Sequence, residues 1–425
     1  MSYFPFALLW QLLTWGRWYI VPDMVVPGER RDMGILRRRG RLPRGFGFSM
    51  LINESLLFVL SFTLAAQSRP VNTYHSTGGA AAPRLISPEV HADRSITFRL
   101  RAPQANSVEL QFGGAKPMMK SADGVWSITL AAVEPEIYTY NFVVDGVRIL
   151  DPGNPNLKNG RAIDASVVEV PGMPPRFDEV QNVPHGAVQI RIYESTPLKK
   201  VRRLFVYTPS QYDTEPTRKF PVLYLRHGSG DNEENWSDTG RAGVILDNLI
   251  AQHKAAPMLI VMPNGDTDGS WGGGSSPEGI ELLSQELLTD IVPLIEKNYR
   301  VAAGRENRAI TGLSMGGGQA FTIGLKHMEL FAWVGEFSSG LVSDTEFHLD
   351  KYLPGFLEDA AAVNKKLRLL YLSCGMQDPR YAGQLDLGDL LKAHDIHYVW
   401  YPTPGAHEWK VWRHALADFA PRLFQ

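Results

Sequence analysis

From residue 187 onward, short apolar runs alternate with amphipathic stretches, and this alternation limits the fold more than any other feature of the chain. The runs at 222–225, 258–262, 309–312, 333–337, 367–373 and 398–401 are apolar almost throughout, as strands buried on both faces of a mostly parallel sheet are. Between them lie stretches such as 282–298, whose apolar residues Leu287, Leu288, Ile291, Leu294 and Ile295 fall on one helical face. Strand–helix alternation of this kind predicts a doubly wound α/β domain over 187–425. Two further runs, 188–193 and 203–208, are expected to open its sheet as an antiparallel pair.

The preceding region has a different texture. Segments 95–102, 108–112, 125–130, 138–144 and 165–170 are short, alternating and closely spaced, which predicts a β-sandwich over 83–172. Asp123-Gly124 precedes one of these strands, and Asp145-Gly146 between two apolar runs signals a hairpin. A linker over 173–186, stiffened by Pro174 and Pro175, separates the sandwich from the α/β domain. Trp126 is expected in the sandwich core rather than on a sugar-stacking surface, because large aromatics in alternating strands point inward.

Composition narrows the function classes. A chain of 425 residues is too long for one small binding module, and 43 Lys plus Arg against 45 Asp plus Glu leave no electrostatic footprint for nucleic acid. The single cysteine, Cys374, excludes an intramolecular disulfide framework and any Cys-rich metal site. No metal-ligand spacing or phosphate loop is visible, so neither a metal nor a cofactor is expected. Before residue 50 the basic residues are all Arg, and 56–66 is an uncharged apolar run ending in small residues. Residues 1–66 therefore read as a signal peptide or a misassigned upstream extension, and 67–82 as a linker. The run is short for a membrane span, so a secreted or periplasmic protein with no stable membrane partner is expected, a membrane anchor being the alternative reading.

The run 309–312 ends on the first residue of Gly312-Leu313-Ser314-Met315-Gly316, which is followed by a helical stretch over 319–325. A serine on a sharp strand-to-helix turn exposes its hydroxyl, and small neighbours let the backbone fold that tightly. Ser314 is thus the candidate nucleophile. A hydroxyl needs a base and an acid, expected later in the chain in the order Ser, Asp, His. Of the late histidines, His407 stands in a loop just beyond the last strand, whereas His394, His397 and His414 fall in or beside regular elements. Asp378 lies on a turn at the end of the run 367–373, where active-site loops belong. Asp386 and Asp389 are alternatives set in a helical stretch. The oxyanion requires two preorganised donors: the backbone N–H of Met315, and that of Ser229 or, second, Gly228 from the glycine-rich loop after 222–225. His227 is expected to be architectural. Cys374 is disfavoured as a nucleophile because it ends an apolar strand with no adjacent histidine.

Taken together, residues 221–231 with Asn235-Trp236, Asp290-Ile291-Val292-Pro293, Gly312 to Gly317, Cys374-Gly375 with Asp378, and Gly405 with His407 resemble the esterase D-like α/β-hydrolases. That group includes feruloyl and acetylxylan esterases of carbohydrate esterase family one and the ferric enterobactin esterases. Pro103, Val125-Trp126, Tyr138-Thr139-Tyr140 and Val144-Asp145-Gly146 resemble the early-set, immunoglobulin-like modules that precede carbohydrate-active hydrolases. The resemblance implies an α/β-hydrolase fold preceded by a small all-β immunoglobulin-like sandwich. It also implies a serine esterase with Ser314, Asp378 and His407 as its triad and an esterified plant polysaccharide or oligosaccharide as its partner; a homo-oligomer is left open. Rival readings are a siderophore trilactone esterase, an acyltransferase to sugar, and a non-catalytic carbohydrate-binding protein. Arg226 departs from the apolar residue expected before His227-Gly228, and Met376-Gln377 from the polar or charged pair expected before Asp378. Trp236, Trp271, Trp409 and Arg226 are the candidate substrate contacts.

Overall fold

In the computed structural model the described residues are 85–270, 273–339 and 349–425. The signal or extension expected over 1–66 and the linker over 67–82 lie outside them. Among the described residues no helix is long and apolar enough to cross a membrane.

Residues 89–170 form two antiparallel sheets. Alternate residues of Ile96–Arg101 and Glu136–Val144 meet across one core, where Phe98, Leu110, Tyr140, Phe142 and Val168 are buried. Trp126 joins them at 7% exposure, its Nε1–H donating to the Ala102 carbonyl at 2.9 Å, so it is a core residue as expected. The hairpin forms at Asp145-Gly146, with φ of +48° and +84°, the doubly left-handed turn that matches strand twist.

Beyond residue 187 an eight-stranded sheet is built from β1 (Ala187–Ser195), β2 (Lys200–Thr208), β3 (Val222–Arg226), β4 (Leu259–Pro263), β5 (Arg308–Gly312), β6 (Trp333–Phe337), β7 (Leu369–Gly375) and β8 (Val399–Thr403), in the order β1-β2-β4-β3-β5-β6-β7-β8. β1 and β2 pair antiparallel at one edge, β2 meets β4 antiparallel, and every later pairing is parallel. Side chains alternate across the sheet. Val222 and Tyr224 of β3 enter a core shared with helices Pro277–Glu286 and Met315–Lys326, while Leu223 and Leu225 enter another shared with Ala242–Ala251 and Trp409–Phe419. Helices covering both faces explain why the central strands carry no polar alternation.

The helix expected over 282–298 starts earlier, at Pro277, where Ser276 caps it by accepting the Gly279 N–H. It passes through a π turn, Leu287–Ile291, before continuing as Val292–Asn298. Pro293 has no N–H to give the preceding turn, and the widened turn sits next to that missing bond.

Candidate active site

The loops that follow β3, β4, β5, β7 and β8 gather at the carboxyl ends of the parallel strands, the end at which α/β sheets place their sites. Ser314 occupies the turn between β5 and helix Met315–Lys326 with φ +51° and ψ −119°. Its own N–H donates to the Phe337 carbonyl at 2.8 Å, which fixes the turn against β6. The turn closes only because Gly316 has no side chain: a Cβ there would stand 2.3 Å from the His227 carbonyl oxygen.

His407 and Asp378 meet Ser314 here. The Ser314 hydroxyl donates to His407 Nε2 at 3.0 Å, and His407 Nδ1–H donates to Asp378 Oδ2 at 2.7 Å. Asp378 is 4% exposed, and burial by itself raises a carboxyl's pKa. The His407 hydrogen bond and the Arg380 N–H, which donates to Oδ1 at 2.9 Å, more than offset that and hold Asp378 below the ordinary carboxylate range. An ionised Asp378 keeps the proton of a neutral imidazole on Nδ1 and leaves Nε2 free to accept. Gln377 secures the histidine loop from β7, its N–H donating to the Gly405 carbonyl at 2.9 Å and its Oε1 accepting the Gly405 N–H at 2.7 Å. The Met376-Gln377 departure thus puts a loop-holding amide beside the acid, while Met376 is exposed. Asp386 and Asp389 lie in helix Tyr381–Ala393, as their surroundings suggested.

The loop after β3 packs directly on the serine turn. A Cβ on Gly228 would stand 3.3 Å from Ser314 Cβ and 2.5 Å from Leu313 Cδ1. The Gly228 carbonyl accepts from His227 Nδ1–H at 2.9 Å and from the Asp231 N–H at 3.3 Å. Peptide planarity makes the Ser229 N–H point opposite to that carbonyl, so its direction is fixed by the same two bonds. His227 is architectural as expected, and its role is specific. Buried at 1% exposure, it donates through Nδ1 and accepts the Gly265 N–H at Nε2 at 2.8 Å, a pattern that requires the neutral ring. Burial also lowers its pKa. The Met315 N–H, in the first turn of its helix, has no intrahelical acceptor.

The candidate substrate contacts fare differently. Arg226 does not reach substrate or solvent: it is fully buried, its Nη1–H donating to Gln319 Oε1 at 2.9 Å, and burial lowers its pKa to about 10. It stands behind the site because a side chain at the end of β3 enters the helix-covered core. Trp236 is 1% exposed, with its Nε1–H on the Arg226 carbonyl at 2.9 Å and its ring edge-on to Trp409 at 5.1 Å, so it is packing rather than a stacking platform. Trp409 is 9% exposed, wedged between Trp236 and Trp412, and presents only a margin to the cleft. Trp271 lies outside the described residues.

Sequence reasoning missed Arg380. Its Nη1 lies 3.2 Å from His407 Nδ1 and 3.4 Å from Nε2, both nitrogens being already engaged, so the guanidinium rests against the imidazole. Its position two residues after Asp378 was the only available signal. Also unforeseen is a cleft of about 1170 Å³ that opens from the site, lined by Tyr138, Asn141 and Lys158 of the sandwich and by Ser229, His407 and Trp409 of the α/β domain. Among the described residues no cluster of three or more His, Cys, Asp or Glu is arranged to hold a metal.

Residues 195–423 match a family model described as "Putative esterase". The chain is 30% identical over 394 residues to an endo-1,4-beta-xylanase/feruloyl esterase of Xylanibacter ruminicola, an alignment covering 90% of this chain and 52% of that protein. It thus spans about half the length of that relative. An acetyl esterase of Caldicellulosiruptor saccharolyticus is 24% identical over 267 residues, 54% of this chain and 95% of the other. Among solved structures, the enterobactin esterase of Shigella flexneri in the presence of enterobactin is similar with a TM-score of 0.59 at 20% identity, covering 78% of this chain and 93% of that one. This last likeness concerns the fold.

Proposed function

Because the chain belongs to the esterase family whose model spans residues 195–423, we propose that it is a serine carboxylester hydrolase that removes feruloyl or acetyl groups from plant polysaccharide. The observation that carries this reading is the unbroken hydrogen-bond chain from Asp378 through His407 to Ser314, with the serine held on a positive-φ turn at a helix start. In the proposed mechanism Ser314 Oγ attacks the ester carbonyl carbon while His407 Nε2 takes the hydroxyl proton. Asp378 stabilises the resulting imidazolium. The carbonyl oxygen, now an oxyanion, accepts from the N–H groups of Met315 and Ser229, with Gly228 as the alternative second donor. Collapse breaks the bond to the sugar oxygen, which leaves with the proton from His407, and an acyl-Ser314 remains. Water then attacks that acyl carbon, giving its proton to His407, and the second collapse returns the carboxylic acid and free Ser314.

The substrate assignment draws on the cleft, whose volume of about 1170 Å³ and polar lining by residues such as Asn141, Lys158 and Ser229 suit a carbohydrate chain better than a compact acyl pocket, and on the name of the Xylanibacter ruminicola relative. Work on plant polysaccharide implies action outside the cytoplasm, in line with reading the apolar run 56–66 as an export signal. The test is a panel of p-nitrophenyl acetate, a feruloylated arabinoxylo-oligosaccharide, an acetylated xylo-oligosaccharide and a catecholate siderophore trilactone. The feruloylated or acetylated sugar is expected to show the highest kcat/KM. Preference for the trilactone would overturn the substrate class, and hydrolysis of none would overturn the activity.

A further inference from the structure

We propose that residues 159–161 of the β-sandwich are a positioning element of the esterase site, holding the 228–231 turn and the Ser229 amide in place from outside the α/β domain. The proposal rests on the serine-esterase reading above. The Arg161 N–H donates to the Gly230 carbonyl at 3.0 Å. The Asn159 carbonyl accepts from Asn235 Nδ2 at 2.5 Å, and the Gly160 carbonyl accepts from Asn232 Nδ2 at 3.2 Å. Asn235 Oδ1 in turn accepts the Asn232 N–H at 2.7 Å, so the two asparagines form one support under the turn. The Arg161 guanidinium spans to the carbonyls of Gly269 and Ser270 in the loop after β4.

The geometry makes this contact bear on catalysis. Two peptides of the turn have bonded carbonyls. That of Gly228-Ser229 is fixed within the α/β domain by His227 and Asp231, whereas that of Gly230-Asp231 is fixed at its carbonyl by the sandwich. Gly230 sits at φ +81°, a conformation with low-energy alternatives for glycine, so losing the sandwich's hold on its carbonyl frees the Gly230-Asp231 peptide to rotate and withdraws the Asp231 N–H, one of the two bonds that orient the Gly228-Ser229 peptide. An oxyanion donor contributes only if it is aimed before the charge develops. Because the contact reaches the turn through backbone, its effect extends to an ester too small to touch the sandwich.

Gly160 supplies a one-methyl probe. Its φ lies outside the left-handed region, yet an added Cβ would stand 2.8 Å from the Gly230 carbonyl oxygen, so Gly160→Ala pushes on the turn without straining its own backbone. Asn232→Asp is the second, isosteric probe: it keeps Oδ1 for the Glu234 N–H and replaces the donor to Gly160 with an anion. Full-length parent and variants are assayed on p-nitrophenyl acetate, with rates divided by the sites titrated by a fluorophosphonate. Both variants are expected to lose about tenfold to a hundredfold in kcat with KM held within about twofold. The inhibition constant of phenylboronic acid, which forms a tetrahedral adduct on the serine, rises by the same factor. A structural defect alone lowers the titrated fraction and leaves the rate per site intact. Unchanged kcat per site in both variants, or a loss carried by KM alone, overturns the proposal. Absence of hydrolysis by the parent overturns the esterase reading, and the proposal with it.

Discussion

Ser314 holds a backbone conformation that costs a non-glycine residue on the order of 1–3 kcal/mol, and the Phe337 carbonyl and the close approach of Gly316 to His227 keep it there. The neighbouring loop stores a different cost. Asp231 is 5% exposed, and burial, only partly relieved by Lys158 at 3.9 Å, pushes its pKa up to about 7, with Asp164 and Asp266 adding to the rise. In the unfolded chain an aspartate titrates near ~3.9. Between these values the folded protein keeps a proton that the unfolded chain has released, so this residue's contribution to stability falls as pH rises from about 4 to about 7. Asp231→Asn, neutral throughout, is expected to gain a few degrees of Tm over the parent on going from pH 5 to pH 8. Parallel Tm curves for the two proteins over that range would refute the assignment.

At the scale of elements, each proposed catalytic residue sits just past the end of an apolar strand: Ser314 after β5, Asp378 after β7, His407 after β8. That is why they were legible in the sequence. The run of apolar residues marks the strand, and the break in it marks the loop. Which way a strand-terminal side chain turns leaves no such mark, and Arg226 shows the difference: it reads as solvent- or substrate-facing, yet it is clamped by Gln319 beneath the site. The same holds for Trp236 and Trp409, whose rings suit stacking on sugar or packing against each other, and the fold packs them edge to face. Arg226→Met is therefore expected to leave KM for small esters within about twofold of the parent, with any change appearing in thermal stability. A tenfold rise in KM would restore Arg226 to the substrate side.

At the scale of the molecule, the sandwich and the α/β domain meet through buried polar contacts. Arg413, 1% exposed, links Asp178 at 2.8 Å, Glu136 of the sandwich and the Thr239 carbonyl at 3.0 Å, and beside this cluster the half-buried Arg241 meets Glu169 at 2.8 Å. Fully buried ion pairs break at large cost when one partner is removed, which makes the Arg413 cluster a firm seam. The existence of two modules was legible from the change in periodicity near residue 187, but their shared cleft was not. It depends on residues more than two hundred positions apart, as Glu136 and Arg413 are, and no local pattern encodes such a meeting. The central claim, that Ser314 is the nucleophile of an esterase, is tested most directly by mass spectrometry after fluorophosphonate treatment, paired with p-nitrophenyl acetate assays of the parent and Ser314→Ala. One adduct per chain, located on Ser314, is expected to abolish hydrolysis. Ser314→Ala, folded by circular dichroism, is expected to take no label and to lose about three or more decades of kcat. A Ser314→Ala protein that hydrolyses the ester at the parent's rate would contradict the account.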